Sequence, residues 1–188
     1  MRSKIVLGLA SAAVLAGAGV AAVLPATASA QAAETVRLVL TPSSDQLAAC
    51  MPGAKVVVKV QLRTDAIGFD TFNVTAEHLP PDRSFTVFLL EQAGSPFGAA
   101  EYIGDVSTNS AGKGANTFKL IVQEAFASTL VNGQRVRVDL NRVGMWFADP
   151  ADDDFCLGAG SPVTPFDGDN EAGVQAFNSA NADPLPLP

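Results

Sequence analysis

Hydrophobic and polar residues alternate with a period of two along much of the chain. In the segment 56–63 every even position is aliphatic, and the odd positions from 59 onward are polar. Successive side chains of a β-strand point to opposite faces, so this pattern predicts a strand with one buried face. The segments 36–40 and 135–140 follow the same pattern and predict two further strands.

Four more segments, 72–76, 84–91, 102–107 and 118–122, complete a predicted set of seven strands, separated by turns rich in Pro, Gly and Asn. Seven strands without a long helical pattern predict an all-β fold, a single immunoglobulin-like or Greek-key β-sandwich. The segment 123–130 has two interpretations. We favour a helical turn; the alternative is a hairpin closed by Asn132-Gly133 between 128–131 and the last strand.

The N-terminus has the three parts of a secretory signal peptide. A short basic start at 1–4 precedes an uncharged run at 5–24, and Ala28-Ser29-Ala30 fits the A-x-A cleavage rule. The alternative is a retained membrane anchor, because the uncharged run approaches spanning length. Pro25 and the small residues after it favour Sec-type cleavage after Ala30. This predicts a secreted, extracellular protein that begins at Gln31 and has no membrane span in its mature chain.

Export changes the interpretation of the two cysteines, Cys50 and Cys156. In an oxidising compartment an even pair of cysteines is expected to form a disulfide bond. Cys50 precedes the first strongly alternating strand and Cys156 follows the last, so the bond would tie both ends of the domain together. The alternative is a pair of buried free thiols. A catalytic role is not indicated, since no C-x-x-C motif occurs.

Composition and charge exclude several classes of protein. The chain has 12 Lys and Arg against 19 Asp and Glu, a formal charge of −7, and cleavage after Ala30 would leave −9. This balance argues against nucleic-acid binding and against adsorption to anionic lipid. Two cysteines and one histidine are too few for a thiolate zinc site or a His-rich metal centre.

The charge is concentrated near the C-terminus, where Arg142 is the last basic residue and eight acids follow it. From residue 158 onward the sequence is rich in Gly, Pro, Ala, Asn and Asp, a composition that predicts poor order. We therefore expect three parts: the signal peptide at 1–30, a sandwich domain at 31–157, and an acidic tail at 158–188. The tail would be pinned only at Phe166 and Phe177.

Two acidic segments, Asp149–Asp154 and Asp167–Glu171, raise the hypothesis of a calcium site, because Ca²⁺ prefers oxygen ligands. The second segment has acids at positions 1, 3 and 5 of the EF-hand template, but Ala172 stands where the turn glycine belongs and Asn178 where the bidentate glutamate belongs. A solvated acidic face is the plainer interpretation. The alternative calcium ligands are Asp149, Asp152, Asp153, Asp154, Asp167, Asp169 and Glu171.

Two aromatic residues, Trp146 and Phe147, are the candidate ligand-binding residues. On a strand, Val143, Met145 and Phe147 would lie on one face and Trp146 on the other, where an exposed indole could stack on a sugar ring or a protein partner. Burial of this single tryptophan is the plainer alternative.

The common catalytic motifs, including G-x-S-x-G, H-E-x-x-H and the Walker loop, are absent from the sequence. The only histidine, His78, follows a predicted strand and enters a turn, which indicates a surface position. A general base at His78 is the alternative, and it leaves open a hydrolase with an unrecognised site.

The segment from Asn73 to Val87, with its Leu79-Pro80-Pro81 turn, is followed by Gly104-Asp105-Val106 and by the turn 109–114. This order of strands and turns resembles that of small secreted β-sandwich proteins of high-GC Gram-positive bacteria. It is also similar to the order in the copper/zinc superoxide dismutase fold and in the extracytoplasmic domain of anti-sigma-K factors. The likeness implies export and a sandwich but assigns no activity. The dismutase ligands are mostly histidines, and this chain has only His78.

The sequence therefore predicts a secreted, non-catalytic binding or interaction module at the cell envelope, with a glycan or a protein as its unidentified ligand and without a required cofactor. One alternative is a calcium-stabilised extracellular structural protein. The other is the hydrolase with a site around His78.

Overall fold

The computed structural model describes residues 34–164 and 170–186. Within them the fold is all-β, as predicted. Ten strands are present: Glu34–Pro42 (β1), Lys55–Leu62 (β2), Asp70–Glu77 (β3), Ser84–Leu90 (β4), Ala100–Ser107 (β5), Gly114–Leu120 (β6), Phe126–Val131 (β7), Gln134–Asp139 (β8), Arg142–Phe147 (β9) and Gln175–Asn178 (β10). The predicted number of seven is not confirmed.

Helices are few and short. Those in the described residues are Asp45–Cys50 (α1), Thr64–Ile67 (α2) and Asp154–Leu157 (α3), with 3₁₀ turns at Val122–Glu124 and Pro150–Asp153. Ser44 caps the N-terminus of helix α1. Its hydroxyl accepts a hydrogen bond from the Leu47 amide and satisfies one of the free donors of the first turn. None of the described helices is long and apolar enough to cross a membrane.

Eight strands form one sheet in the order β5-β4-β9-β10-β1-β2-β3-β6, and β7 and β8 form a separate two-stranded sheet. Each pairing in the large sheet is antiparallel. The two halves, β5-β4-β9-β10 and β1-β2-β3-β6, are joined by two residue pairs between β1 and β10 and, at the opposite edges, by the bridge Thr108–Gly114. One core cluster contains Val58 and Phe72 from one half and Phe85, Phe147 and Phe177 from the other.

The predicted alternation places the core side chains correctly. In β2 the even positions from Val56 to Leu62 are buried, and β3 buries every second residue from Asp70 to Ala76. Burial of one apolar face in this core accounts for the period of two along these strands. The strand segments predicted at 36–40, 56–63, 72–76, 84–91 and 102–107 therefore match the observed strands to within a few residues.

The edge strands β5 and β6 meet at one end and separate at the other. A bridge pairs Thr108 with Gly114, and the Asn116 side-chain amide donates to the Asp105 carbonyl at 2.8 Å. Beyond this point the ring of Phe118 lies directly over Gly104, where a Cβ atom would come within 2.5 Å of the ring. The two strands then diverge, which leaves the sheet open at Ala100 and Leu120.

The predicted C-terminal tail is wrong for residues 170–186. Strand β10 lies inside the large sheet between β9 and β1, and all four of its residues are buried. Phe177 is a core residue, as expected of one pinning point, whereas Phe166 lies outside the described residues. The polar residues of this segment can be buried because they find hydrogen-bond partners. The side-chain amide of Gln175 donates to the Ala93 carbonyl, and that of Asn178 donates to the side-chain oxygen of Gln175.

The predicted disulfide bond is present between Cys50 at the end of α1 and Cys156 in α3. It spans 106 residues of sequence. The Gln46 side-chain amide also donates to the Cys156 carbonyl at 3.1 Å, so the two short helices are held by a covalent bond and a hydrogen bond. A crosslink of this length reduces the conformational entropy of the unfolded chain and thereby raises its free energy by about 4 to 5 kcal/mol.

Candidate functional site

The candidate site combines the hairpin β7–β8 with a groove at its base. Six residue pairs form the hairpin, from Phe126 opposite Asp139 to Val131 opposite Gln134. The turn residues Asn132 and Gly133 have φ values of 52° and 78°, and positive φ at both positions is the type I′ geometry that suits a two-residue hairpin. The favoured prediction of a helical turn over 123–130 is therefore wrong, and the hairpin alternative is correct.

The sequence obscured this hairpin because β7 does not alternate. Its sequence, Phe-Ala-Ser-Thr-Leu-Val, mixes apolar and polar residues without a period of two, since among its apolar residues only Ala127 packs against the core. The Asn-Gly pair after it was the informative signal. The helical character is confined to the 3₁₀ turn Val122–Glu124.

The hairpin exposes apolar side chains that a core would normally bury. Leu130 is 65% exposed, Phe126 and Val131 are each 50% exposed, and Val136 is 41% exposed. Phe126 and Leu130 lie on one face of the two-stranded ribbon, and Val131 and Val136 lie on the other. Exposed apolar surface concentrated on one element marks a contact site more often than scattered single residues do.

Opposite faces of the hairpin differ in chemistry. Cross-strand pairs share a face, so Phe126, Ser128 and Leu130 lie on the same side as Asp139, Arg137 and Arg135. Arg137 stacks on the Phe126 ring at 4.2 Å from its centroid and pairs with Asp139 at 2.9 Å. The other face carries the aliphatic and small side chains of Ala127, Thr129, Val131, Val136 and Val138.

A groove of about 410 Å³ lies where the hairpin leaves the large sheet. It occupies the open end between β5 and β6 and has an apolar lining with two exposed carboxylates, Glu101 and Glu124. Among the described residues neither glutamate takes part in an ion pair. The lining residues are Ala100, Glu101, Leu120, Ile121, Glu124, Ala125, Phe126, Ala127 and Leu140.

Two buried aspartates fix the loops around the sheet. Asp70 is fully buried and accepts the amides of Arg63 and Thr64 with one oxygen and the amide of Val122 with the other. The distances from its oxygens to these nitrogens are 2.6, 2.9 and 2.9 Å. Asp70 therefore ties α2 to the 3₁₀ turn that leads into the hairpin, a role that sequence alone did not indicate.

Asp153, one of the predicted calcium ligands, is the second buried aspartate. The hydroxyl of Ser161 donates to one of its oxygens, and the amide of Val174 donates to the other at 2.8 Å. Protein donors thus occupy both oxygens of this carboxylate. These contacts hold the segment that returns to β10.

The remaining acids of the calcium hypothesis do not converge on a common point in the part of the chain that the structure describes. Asp149 accepts the Ala151 amide at the start of a 3₁₀ turn, Asp154 begins α3, and Glu171 is exposed. Asp167 and Asp169 lie outside the described residues. Within 34–164 and 170–186, no group of three His, Cys, Asp or Glu residues is arranged to hold a metal ion.

Asp152 has a raised pKa. Burial is the main cause, because it penalises the charged carboxylate; the neighbouring Asp149 and Asp153 raise the pKa further, and Arg83, whose Nε lies 3.3 Å away, lowers it. The neutral form of Asp152 is therefore favoured more in the folded protein than in the unfolded chain.

Of the two interpretations of Trp146, the exposed indole is wrong and burial, the plainer alternative, is correct; the predicted face is also correct. Met145 and Phe147 enter the main core, and Trp146 lies on the opposite side of β9, but only 3% of it is exposed. The rings of Phe88 and Phe97 pack edge-on against the indole at 5.2 and 5.0 Å. These two rings belong to residues remote in sequence, and they cover the face of the indole that would stack on a ligand. Phe147, the other candidate ligand-binding residue, is fully buried.

His78 is exposed in the turn after β3, as the sequence indicated. Its backbone φ is 58°, a left-handed conformation that turns tolerate at single residues.

No protein-family model matches the chain. No curated protein sequence matches it either.

Proposed function

We propose that this protein is a secreted, non-catalytic binding module of the cell envelope, and that hairpin β7–β8 with its adjoining groove is the contact surface. The observation that carries the proposal is the exposure of Leu130, Phe126, Val131 and Val136 on one ribbon outside the core. Burial of apolar surface contributes about 25 cal/mol per Å², so a partner that covers these side chains gains a substantial driving force.

Export to the envelope is part of the proposal. It is supported by the basic start, the uncharged run and the A-x-A sequence at Ala28-Ser29-Ala30, which lie outside the described residues. The disulfide bond between Cys50 and Cys156 supports it further, because such bonds persist in oxidising compartments.

We also propose that the large sheet functions as a Greek-key sandwich, a rigid scaffold for the hairpin. Its support is the single core formed by two four-stranded halves, which are joined by two β1–β10 residue pairs and, at the opposite edges, by the bridge Thr108–Gly114. Binding residues commonly lie on loops or extensions that such a scaffold positions.

A protein fits this contact surface better than a glycan. The exposed groups are mainly aliphatic, and β5, β6 and β7 each have a strand edge with unpaired backbone groups over part of their length. Extended polypeptides bind such edges by adding a strand. Sugar recognition commonly uses an exposed aromatic platform, and Trp146 is covered.

Retention on insoluble envelope material tests the proposal. The mature chain 31–188 is incubated with the material in calcium and in EDTA, alongside Leu130→Asp and a matched control, Val39→Asp. Val39 is also an exposed apolar strand residue, 40% exposed, but it lies on the large sheet. We expect retention of the wild type and of Val39→Asp, and loss of retention with Leu130→Asp.

Equal retention of all three proteins would overturn the hairpin as the contact surface, and no retention of the wild type would overturn the envelope function. Loss of wild-type retention in EDTA alone would instead support the calcium-dependent alternative.

A further inference from the structure

The two strands of the hairpin differ in what protects their edges. Strand β7, Phe126–Val131, has no charged residue, proline or glycine, whereas β8, Gln134–Asp139, carries Arg135, Arg137 and Asp139. Charged residues on an edge strand discourage pairing with another chain, and an uncharged edge of high β-propensity invites it. The structure therefore distinguishes β7 as the edge that is open to pairing.

The backbone groups available on β7 follow from the turn. In a two-residue hairpin the pair next to the turn, Val131 and Gln134, is hydrogen-bonded, and the bonded pairs then alternate. The amides and carbonyls of Phe126, Ser128 and Leu130 consequently point away from β8. Among the described residues β7 pairs only with β8, so these outward groups have no strand beside them.

We propose that the β7 edge binds the β7 edge of a second copy of this chain, which gives a two-fold dimer with an intermolecular sheet in the order β8-β7-β7-β8. An antiparallel register centred on Ser128 brings the outward groups of both copies together. It also places Phe126 opposite Leu130 of the second copy and Leu130 opposite Phe126 of that copy. These aromatic–aliphatic pairs are of the kind that stabilises neighbouring strands.

The charges of the hairpin favour this pairing over one through β8. A two-fold pairing of β8 edges centred on Val136 would place Arg135 opposite Arg137, and one centred on Arg137 would place that arginine opposite itself, although the second register also sets Arg135 opposite Asp139. Like charges directly opposite on neighbouring strands are destabilising. A β7 pairing contains no charged pair at the seam.

The groove supplies a complementary charge for the second copy. Leu130 is paired with Arg135 across the hairpin, and Phe126 lines the groove together with Glu101 and Glu124. With Leu130 opposite Phe126 of the other copy, Arg135 of each copy lies near the carboxylates of its partner's groove. Among the described residues Arg135, Glu101 and Glu124 have no ion-pair partner within the chain. Each copy thus brings a basic hairpin tip and an acidic groove.

Sedimentation velocity of the mature chain across a wide concentration range tests the inference, with Ser128→Pro as the variant and Ser128→Thr as the matched control. Proline removes an outward amide without breaking a bond to β8, and edge strands tolerate it. We expect a wild-type dimer, an unchanged dimer for Ser128→Thr, and dimerisation weakened about tenfold or more for Ser128→Pro. A wild-type monomer at every concentration, or an unaffected Ser128→Pro dimer, would overturn the inference.

A charge exchange provides a second test that does not depend on how Ser128→Pro folds. Arg135→Glu alone and Glu101→Arg/Glu124→Arg alone each place like charges at both contacts of a dimer, so both are expected to be monomeric. A mixture of the two restores opposite charges at both contacts and is expected to form a heterodimer. A mixture that sediments as two separate monomers would contradict the proposed register.

The dimer inference rests on the hairpin surface of the proposed function, but the experiments can contradict the dimer and the envelope function independently. A monomeric wild type that still shows hairpin-dependent envelope retention would remove the second copy as the occupant, and would assign the β7 edge to a different protein. A dimer that dissociates on Ser128→Pro but shows no envelope retention would remove the envelope function and leave the dimer in place.

Discussion

The large sheet and the hairpin β7–β8 use similar residues for different purposes. In β2, Val56, Val58 and Val60 are completely buried, whereas Val136 in β8 is 41% exposed although it also alternates with charged residues. Alternation therefore predicts a strand in both regions, but it does not predict what covers the apolar face. In the large sheet the core covers it; on the hairpin it stays exposed, and we propose that an external partner covers it.

The disulfide bond gives the largest expected effect on the large sheet. Replacement of both Cys50 and Cys156 by Ser should lower the free energy of unfolding by about 4 to 5 kcal/mol, because the bond closes a loop of 106 residues in the unfolded chain. Urea unfolding of the oxidised wild type and of the variant measures this difference. A loss below about 1 kcal/mol would mean that the crosslink contributes little to the fold.

Truncation of one phenylalanine in each region compares them directly. Phe177→Ala in β10 should cost about 3 to 5 kcal/mol of unfolding free energy, because it leaves a cavity in the main core. Phe126→Ala on the hairpin should cost less than about 1 kcal/mol, because that ring is half exposed. Chemical denaturation of both variants provides the measurement. Equal losses would show that the hairpin is as much a part of the folding unit as β10.

The loop around Asp70 connects the two regions. Asp70→Asn should destabilise the fold by about 1 to 3 kcal/mol, since an amide group cannot accept all three backbone hydrogen bonds that the carboxylate accepts. Faster amide exchange at Val122 and in the adjoining hairpin is also expected. An unchanged midpoint of urea unfolding would show that these bonds are not needed.

The pH dependence of Asp152 is the smallest expected effect. Its pKa is raised in the folded state, so the folded protein binds a proton more readily than the unfolded chain. This contribution makes the protein more stable as the pH falls from the raised pKa to the ordinary aspartate value, and Asp152→Asn should remove it. Thermal unfolding of both proteins across that window measures the change; identical pH profiles would contradict the assignment.

The sequence predicted the all-β class, the disulfide bond and most strands of the large sheet, because their signals are local. Strand β10 was missed because its polar residues Gln175 and Asn178 are satisfied by buried amide partners that lie far away in sequence. The coverage of Trp146 likewise depends on Phe88 and Phe97, which no local pattern connects to it. The sequence marks the hairpin only through its turn, Asn132-Gly133, because β7 itself lacks the alternation typical of a strand.

Hydrogen–deuterium exchange of the mature chain, diluted until it sediments as a monomer, compares the free protein with the protein bound to envelope material and tests most directly whether the hairpin is the contact surface. We expect binding to slow exchange of the amides in Phe126–Val131 and at the adjoining groove, while the already protected strands of the large sheet change little. Unchanged hairpin exchange in the bound protein, with new protection on the large sheet, would contradict the account.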